Sequence, residues 1–118
     1  MKTILTMAHE LTHIWQYLNW DAKQIKNKYG PLELQVYEGM ATWASIQYAY
    51  LLGEIAVGKR EELQEVFRND VYGQGLLRYM ANYPLSEGTE LFGPTPFANI
   101  DTPLAPEFCQ GVPVPRVE

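Results

Sequence analysis

The feature that most constrains this chain is the pair of histidines in AHELTHIWQY, residues 8–17. His9 and His13 are its only histidines, and they lie four residues apart. On an α-helix, positions i and i+4 share one face, with Cβ atoms ~5–6 Å apart. Two imidazoles placed in this way can both reach one Zn²⁺ ion at ~2.0–2.1 Å. The spacing therefore predicts a helix that carries a metal-binding face.

Glu10 follows the first histidine and lies about 100° around the same helix. From that position its carboxylate flanks a metal instead of binding it, and can accept a proton from an activated water. Together the residues form the His-Glu-x-x-His motif of zinc peptidases. We predict His9 and His13 as zinc ligands and Glu10 as the general base. The alternative interpretation is that both histidines are hydrogen-bonded core residues of a buried helix.

A catalytic zinc site needs a third protein ligand and an open fourth position. No histidine remains, so the third ligand is an aspartate, a glutamate or a cysteine. Glu38 is favoured because it lies in a long apolar stretch, where an unpaired carboxylate is costly. Glu33 is the fallback. Asp21 is too close to the motif helix, and Cys109 lies in an irregular segment.

Helical periodicity accounts for most of the chain up to Pro84. Residues 3–20 contain no glycine or proline, and they are apolar on most sides, which is typical of a central helix. A short polar helix or loop follows and ends at Gly30. A second long helix is predicted from Pro31 to about Val57, a third over residues 59–70, and a continuation or fourth over 71–83. Trp15, Trp20 and Trp43 are expected to pack in the core around the first two long helices.

The second long helix is dense in small residues around Gly39 and Thr42. A glycine inside a helix costs about 1 kcal/mol relative to alanine, so a compensating contact is expected. We predict that these small residues allow the helix to approach the motif helix closely.

Seven of the eight prolines fall between Pro84 and the C-terminus. This segment is expected to be extended, to wrap the helices through Phe92, Phe97 and Phe108, and to be disordered at its end. The predicted fold is therefore mainly α, a single domain over residues 1–118 with a proline-rich tail over 84–118.

Composition excludes several classes of function. The chain is 47% hydrophobic, enough for a packed core, and its net charge of −5 argues against a nucleic-acid-binding protein. No apolar run approaches the ~18 residues of a membrane span. Cys109 is the single cysteine, which excludes an internal disulfide and favours a cytoplasmic location. Charged residues make up 19%, below the usual quarter or so, which favours association with another chain.

HELTH, followed 24 residues later by YEGMATW, resembles the gluzincins, zinc peptidases whose third ligand is a glutamate. The pair is similar to the motifs of the aminopeptidase branch. It also resembles the peptidase domain of the plant ubiquitin-activated peptidases that limit organ size. The resemblance covers roughly residues 4–50. It implies a zincin-like half domain that cleaves peptides or proteins, with zinc on His9, His13 and Glu38 and with Glu10 as the base.

The chain departs from the gluzincin pattern in two ways. Thr42 stands where thermolysin-like enzymes have an aspartate that orients a histidine ligand. The β-sheet that precedes the motif helix in gluzincins, and whose edge strand binds substrate, has no counterpart here. We therefore expect either a homodimer that buries the open side of the first helix, or one part of a larger peptidase domain.

Related enzymes also use a second electrophile to stabilise the oxyanion, and here Tyr72 and Tyr79 are the candidates. The alternative for each is a packing role. Two rival functions remain open: a zinc-stabilised but inactive helical module that acts in protein–protein interaction, and a helical interaction domain that binds no metal.

Overall fold

The structure is a computed structural model that describes residues 2–53, 71–88, 90–91 and 93–98. Within these ranges the fold is mainly α and contains no strand, as the sequence predicts. The predicted third helix over 59–70, Phe92 and the segment from residue 99 onward, which includes Phe108, lie outside the described residues. The elements are α1 (Lys2–Asn19), α2 (Ala22–Tyr29), a 3₁₀ turn (Gly30–Leu32), α3 (Glu33–Leu51), α4 (Val71–Asn82) and a second 3₁₀ turn (Pro96–Ala98).

Local signals fix both ends of α2. Asp21 has an extended backbone, and its carboxylate accepts hydrogen bonds from the backbone N–H groups of Lys23 and Gln24, at 3.0 and 3.3 Å. This is the N-cap arrangement in which aspartate is favoured. At the other end Gly30 has φ +54°, a conformation that side chains rarely adopt. The short polar segment is therefore a helix, ended by Gly30 as predicted.

The central helix is α3, which packs against α1 and against α4. Its buried residues include Val36, Met40, Trp43 and Ile46. The prediction that the motif helix is central is wrong. Helix α1 packs against α3 and leaves five large side chains exposed: Met7, Leu11, Ile14, Tyr17 and Leu18. An apolar periodicity shows that a helix has surface to bury, but not whether the described chain covers it.

Gly39 has a compensating contact, but not the predicted one. A Cβ atom on Gly39 would lie 2.5 Å from the backbone carbonyl carbon of Gly75, on α4. A Cβ on Gly75 would lie 2.7 Å from the backbone oxygen of Gln35. The two glycines therefore allow α3 and α4 to approach closely, whereas the expected partner of Gly39 was α1.

The segment after α4 is held against the outside of the helices by polar and aromatic contacts. The Trp43 indole N–H donates to the backbone oxygen of Tyr83 at 2.7 Å. Phe97 packs edge-on against Trp15, with ring centroids 4.8 Å apart. Trp20 and Trp43 are buried and Trp15 packs against the core, as expected. None of the described helices is both long and apolar enough to span a membrane.

Candidate metal centre

Three side chains from two helices converge on one point. The Nε2 atom of His9 lies 3.0 Å from Oε2 of Glu38, and Nε2 of His13 lies 3.0 Å from Oε1 of the same carboxylate. Their ligand atoms all lie within 4.8 Å of one another. The structure thus brings together the three residues predicted as ligands, from α1 and α3.

The separations suit a small cation. Tetrahedral ligands with bonds of ~2.0–2.1 Å lie ~3.3 Å apart, close to the observed nitrogen–oxygen distances. Each imidazole nitrogen faces a carboxylate oxygen, so positive charge between them, a proton or a metal ion, makes the arrangement attractive. Two histidines and one carboxylate form a ligand set found in catalytic zinc sites. The residues therefore fit zinc, although the same group can hold other divalent metals.

The group is only partly exposed. The side chains of His9, His13 and Glu38 expose 20, 28 and 17% of their surface. One side of the centre is therefore open to solvent, as a fourth coordination position requires. The other side is formed by the packed surfaces of α1 and α3.

The histidine rings owe their alignment to the helix that carries them. One helical turn separates His9 from His13, and their ring centroids lie 4.8 Å apart at an interplanar angle of 72°. Thr12, buried between the helices, donates its hydroxyl to the backbone oxygen of Ala8 at 2.8 Å. The motif spacing alone sets these two ligands on the face that meets α3.

A fourth residue of the centre, Gln16, was not singled out in the sequence. Its Oε1 atom lies 2.8 Å from Nδ1 of His13, and its Nε2 donates to the backbone oxygen of Tyr37 at 3.0 Å. The residue is 1% exposed. The sequence feature that could have identified Gln16 is its position three residues after His13. This spacing places its polar side chain on the face of α1 that carries the histidines.

Glu10 is exposed on α1 and does not join the ligand group. This position agrees with the flanking location that the sequence predicts. Among the alternative ligands, Glu33 and Asp21 are also absent from the group, and Asp21 is engaged as the cap of α2. Cys109 lies outside the described residues.

The two candidate tyrosines have different surroundings. The Tyr72 ring lies beside His9, with centroids 6.0 Å apart, and is 45% exposed. Tyr79 is fully buried, and its hydroxyl donates to the backbone oxygen of Val36 at 2.8 Å. Tyr79 is therefore not available to stabilise an oxyanion, because its hydroxyl is directed into the contact between α3 and α4. Tyr72 remains.

Thr42 lies one turn after Glu38 and is buried. Its hydroxyl has no hydrogen-bond partner within the described part of the chain. It therefore does not orient a histidine as an aspartate at this position does in thermolysin-like gluzincins.

Tyr37, adjacent to Glu38, packs edge-on against Trp20, with ring centroids 5.2 Å apart. Burial raises the pKa of its phenol, and the carboxylates of Glu33 and Asp21 raise it further. The phenol therefore stays neutral to higher pH than an ordinary tyrosine and adds no negative charge near the centre.

An apolar groove of about 500 Å³ lies between α1, the second half of α3 and the residues Leu91, Thr95 and Phe97. It is lined mainly by aliphatic and aromatic side chains, including Met7, Leu11, Trp43, Tyr48, Leu91 and Phe97. Its α1 wall also includes Thr12, the neighbour of His13. The groove therefore continues from the open apolar side of α1 toward α3.

Comparisons with protein-family models, with curated proteins and with solved structures found no match for this chain.

Proposed function

We propose that the chain binds one Zn²⁺ ion through His9, His13 and Glu38 and hydrolyses peptide bonds. The observation that carries the proposal is the convergence of these three side chains from α1 and α3, with ligand atoms within 4.8 Å. The pattern HELTH, with an exposed glutamate next to the first histidine, supports hydrolysis over simple metal storage. The substrate class is a peptide or a protein, as the resemblance to gluzincins implies.

A zinc ion in this centre would acidify a water molecule and polarise a substrate carbonyl. Glu10 accepts a proton from the attacking water and donates it to the leaving amine, a role that needs an exposed carboxylate beside the ligands. Tyr72 is the candidate donor to the oxyanion because its ring lies beside His9. Gln16 and the helix backbone hold His13 in place.

A second function is favoured by a specific observation. The face of α1 that carries Leu11, Ile14 and Leu18 is exposed, and the described residues supply no strand beside the centre to bind a substrate backbone. In this alternative, zinc stabilises a helical module that acts in protein–protein interaction without hydrolysis. Metal binding is common to both functions, so cleavage separates them.

The test combines metal analysis with a cleavage assay. Protein purified without chelators is expected to contain one zinc per chain and to cleave peptides from a mixed library. The Glu10→Gln variant is expected to retain zinc and to lose hydrolysis, because the amide cannot accept the proton. Loss of zinc in Glu10→Gln would make Glu10 a ligand and overturn the assignment of roles.

The remaining outcomes decide between the functions. Stoichiometric zinc without cleavage by the wild-type chain favours the stabilised module. A wild-type chain that neither carries zinc nor takes it up would refute both functions. The remaining hypothesis would then be a helical interaction domain that binds no metal.

A further inference from the structure

Gln16 connects a proposed ligand on α1 to the backbone of α3. Its amide contacts Nδ1 of His13 on one side and the Tyr37 carbonyl on the other, at 2.8 and 3.0 Å. Tyr37 directly precedes Glu38, the ligand from α3. A single side chain therefore links the surroundings of two ligands that come from different helices.

The chemistry of these contacts determines which atoms carry protons. A backbone carbonyl only accepts hydrogen bonds, so the NH₂ group of Gln16 must face Tyr37. The amide oxygen must then face His13, and an amide oxygen also only accepts. Nδ1 of His13 is therefore the donor, whichever way an isolated amide would be oriented.

The second nitrogen of His13 follows from the first. A neutral imidazole carries one proton, so a protonated Nδ1 leaves Nε2 with a free lone pair. Nε2 is the atom that lies 3.0 Å from Glu38 in the metal centre. We infer that Gln16 is a positioning residue that fixes the Nδ1–H tautomer of His13 and so directs the Nε2 lone pair at the metal. This inference rests on the proposed metal site for its functional meaning, but the proton on Nδ1 does not. Without a metal the Glu38 carboxylate is an acceptor for a proton on Nε2, while Nδ1 still donates to Gln16.

Burial restricts the Gln16 amide to this one orientation. Gln16 is 1% exposed, so water cannot readily replace either partner of its amide. Turning the amide around would place its oxygen against the Tyr37 carbonyl and its NH₂ against Nδ1. That orientation loses the hydrogen bond to Tyr37.

Gln16 also supplies the oxygen that accepts a hydrogen bond from the ring nitrogen of His13 that does not face the metal site. Metal-bound histidines commonly donate their second N–H to an oxygen acceptor, which fixes the ring and increases its basicity. Thr42 provides no such bond within the described residues. The acceptor for His13 comes from the motif helix itself, three residues further along.

The experiment compares Gln16→Met with a matched control, Gln47→Met. Gln47 is also buried, and its amide likewise makes two hydrogen bonds, donating to the Ser86 carbonyl and accepting from the Ser86 N–H, both at 2.8 Å. The same substitution there removes an equivalent amide, whose two hydrogen bonds go to Ser86 and not to a histidine. A third variant, Gln16→Glu, keeps an oxygen that accepts from Nδ1 but loses the donor to Tyr37.

Two properties are measured. Two-bond ¹H–¹⁵N correlation spectra of the metal-free protein report whether Nδ1 of His13 carries a proton. Only two histidines are present, so a His9→Gln variant completes the assignment. Competition with a chromophoric chelator gives the zinc affinity, and circular dichroism confirms folding.

Wild-type protein and Gln47→Met are expected to show His13 protonated at Nδ1, whereas Gln16→Met is expected to lose that preference. Gln16→Met should bind zinc about 10–100-fold more weakly, the usual effect of removing such a partner. Gln16→Glu should keep the tautomer and bind zinc more tightly than Gln16→Met. If Gln16→Met does not fold, Gln16→Glu decides the question: its carboxylate is a stronger acceptor than the amide, so the Nδ1–H proton of His13 should move downfield relative to wild type and Gln47→Met, and an unchanged shift would overturn the inference.

An unchanged tautomer in folded Gln16→Met would overturn the inference. So would equal losses of zinc affinity in Gln16→Met and Gln47→Met, or a wild-type His13 whose Nδ1 carries no proton. If wild-type protein binds no zinc but shows the expected tautomers, the proposed function fails while the role of Gln16 in fixing the histidine stands.

Discussion

The hydroxyl groups of Tyr72 and Tyr79 illustrate how much a residue's surroundings decide its role. Both tyrosines lie on α4, separated by about two helical turns. The Tyr72 ring is half exposed beside His9, whereas the Tyr79 hydroxyl is buried and donates to Val36. Of the two, only Tyr72 therefore has its ring beside the proposed metal site.

Substituting each tyrosine by phenylalanine separates these roles. Tyr72→Phe should leave zinc affinity unchanged and lower kcat by about 10²–10³-fold, the range found when one oxyanion donor is removed. Tyr79→Phe should keep kcat but reduce the free energy of unfolding by about 1 kcal/mol, the usual worth of a hydrogen bond. Steady-state kinetics and urea unfolding of both variants give the comparison. Full activity in Tyr72→Phe would show that the oxyanion donor lies elsewhere.

The convergence of His9, His13 and Glu38 could be anticipated because helical spacing places the histidines and because Glu38 lies in an apolar stretch. The contacts of Gln16 could not. They depend on where α3 places the Tyr37 carbonyl, and no local pattern in α1 contains that information.

At the scale of helices, α3 and α4 approach each other closely at Gly39 and Gly75. The end of α2 at Gly30 was predicted, whereas the N-cap role of Asp21 was not, and the second long helix, predicted from Pro31 to about Val57, is α3 over Glu33–Leu51. The partner of Gly39 was not predictable, because small residues show only that some helix comes close. In this fold that helix is α4, while α1 meets α3 through its histidines and Gln16.

Gly75→Ala tests the close approach. Its Cβ would meet backbone atoms of Gln35 and Gly39 at 2.7 Å, so the helices must separate. Overpacking of this kind typically costs about 1–3 kcal/mol, partly offset by the better helix propensity of alanine. Gly88→Ala is the control, because no heavy atom lies within 4 Å of the added Cβ and the backbone is not left-handed. Chemical unfolding of both variants should show a loss only for Gly75→Ala; equal stability would argue against tight packing.

The proposed metal ties α1 to α3, so its removal should be visible as lost stability. A ligand present at 100 times its Kd stabilises the native state by about 2.7 kcal/mol. Zinc should therefore raise the Tm of the wild-type chain. The gain should vanish in His13→Ala, which loses a ligand. Thr12→Val is the matched control on the same helix, because it removes a buried hydroxyl that donates to the backbone oxygen of Ala8 and is not one of the proposed ligands. Thermal unfolding with and without zinc gives the answer, and a zinc effect that persists in His13→Ala would contradict the ligand assignment.

For the whole molecule, the dominant feature is the open apolar side of α1. Met7, Leu11, Ile14 and Leu18 are exposed, and the groove of about 500 Å³ adjoins them. Soluble monomers rarely expose large contiguous apolar surfaces. The sequence could predict that such a surface exists, because its low charge and apolar motif helix point to association. The sequence could not predict which chain covers this side of α1, because that depends on the shape and chemistry of the partner's surface.

We expect identical chains to associate through this side of α1 when no other partner is present, since symmetric dimers are the commonest assembly. Sedimentation and light scattering at low micromolar concentration should give a dimer. The double variant Ile14→Lys, Leu18→Lys should shift it to monomer. Leu34→Lys is the control, because Leu34 is an equally exposed leucine on α3, and it should leave the dimer intact. A compact wild-type monomer that binds no hydrophobic dye would contradict this expectation.

The short sequence distance between the proposed ligands also has a consequence for the order in which the molecule assembles. His9 and Glu38 are separated by 29 residues, whereas contacts between α3 and α4, such as that of Tyr79 with Val36, span 43. Closing a shorter loop costs less chain entropy, and a stretch made of consecutive helices forms its contacts early. The three ligands and Gln16 all lie before residue 39. We therefore expect the proposed metal ion to engage α1 and α3 before α4 docks, so that metal binding would assist folding as well as stabilise the finished protein.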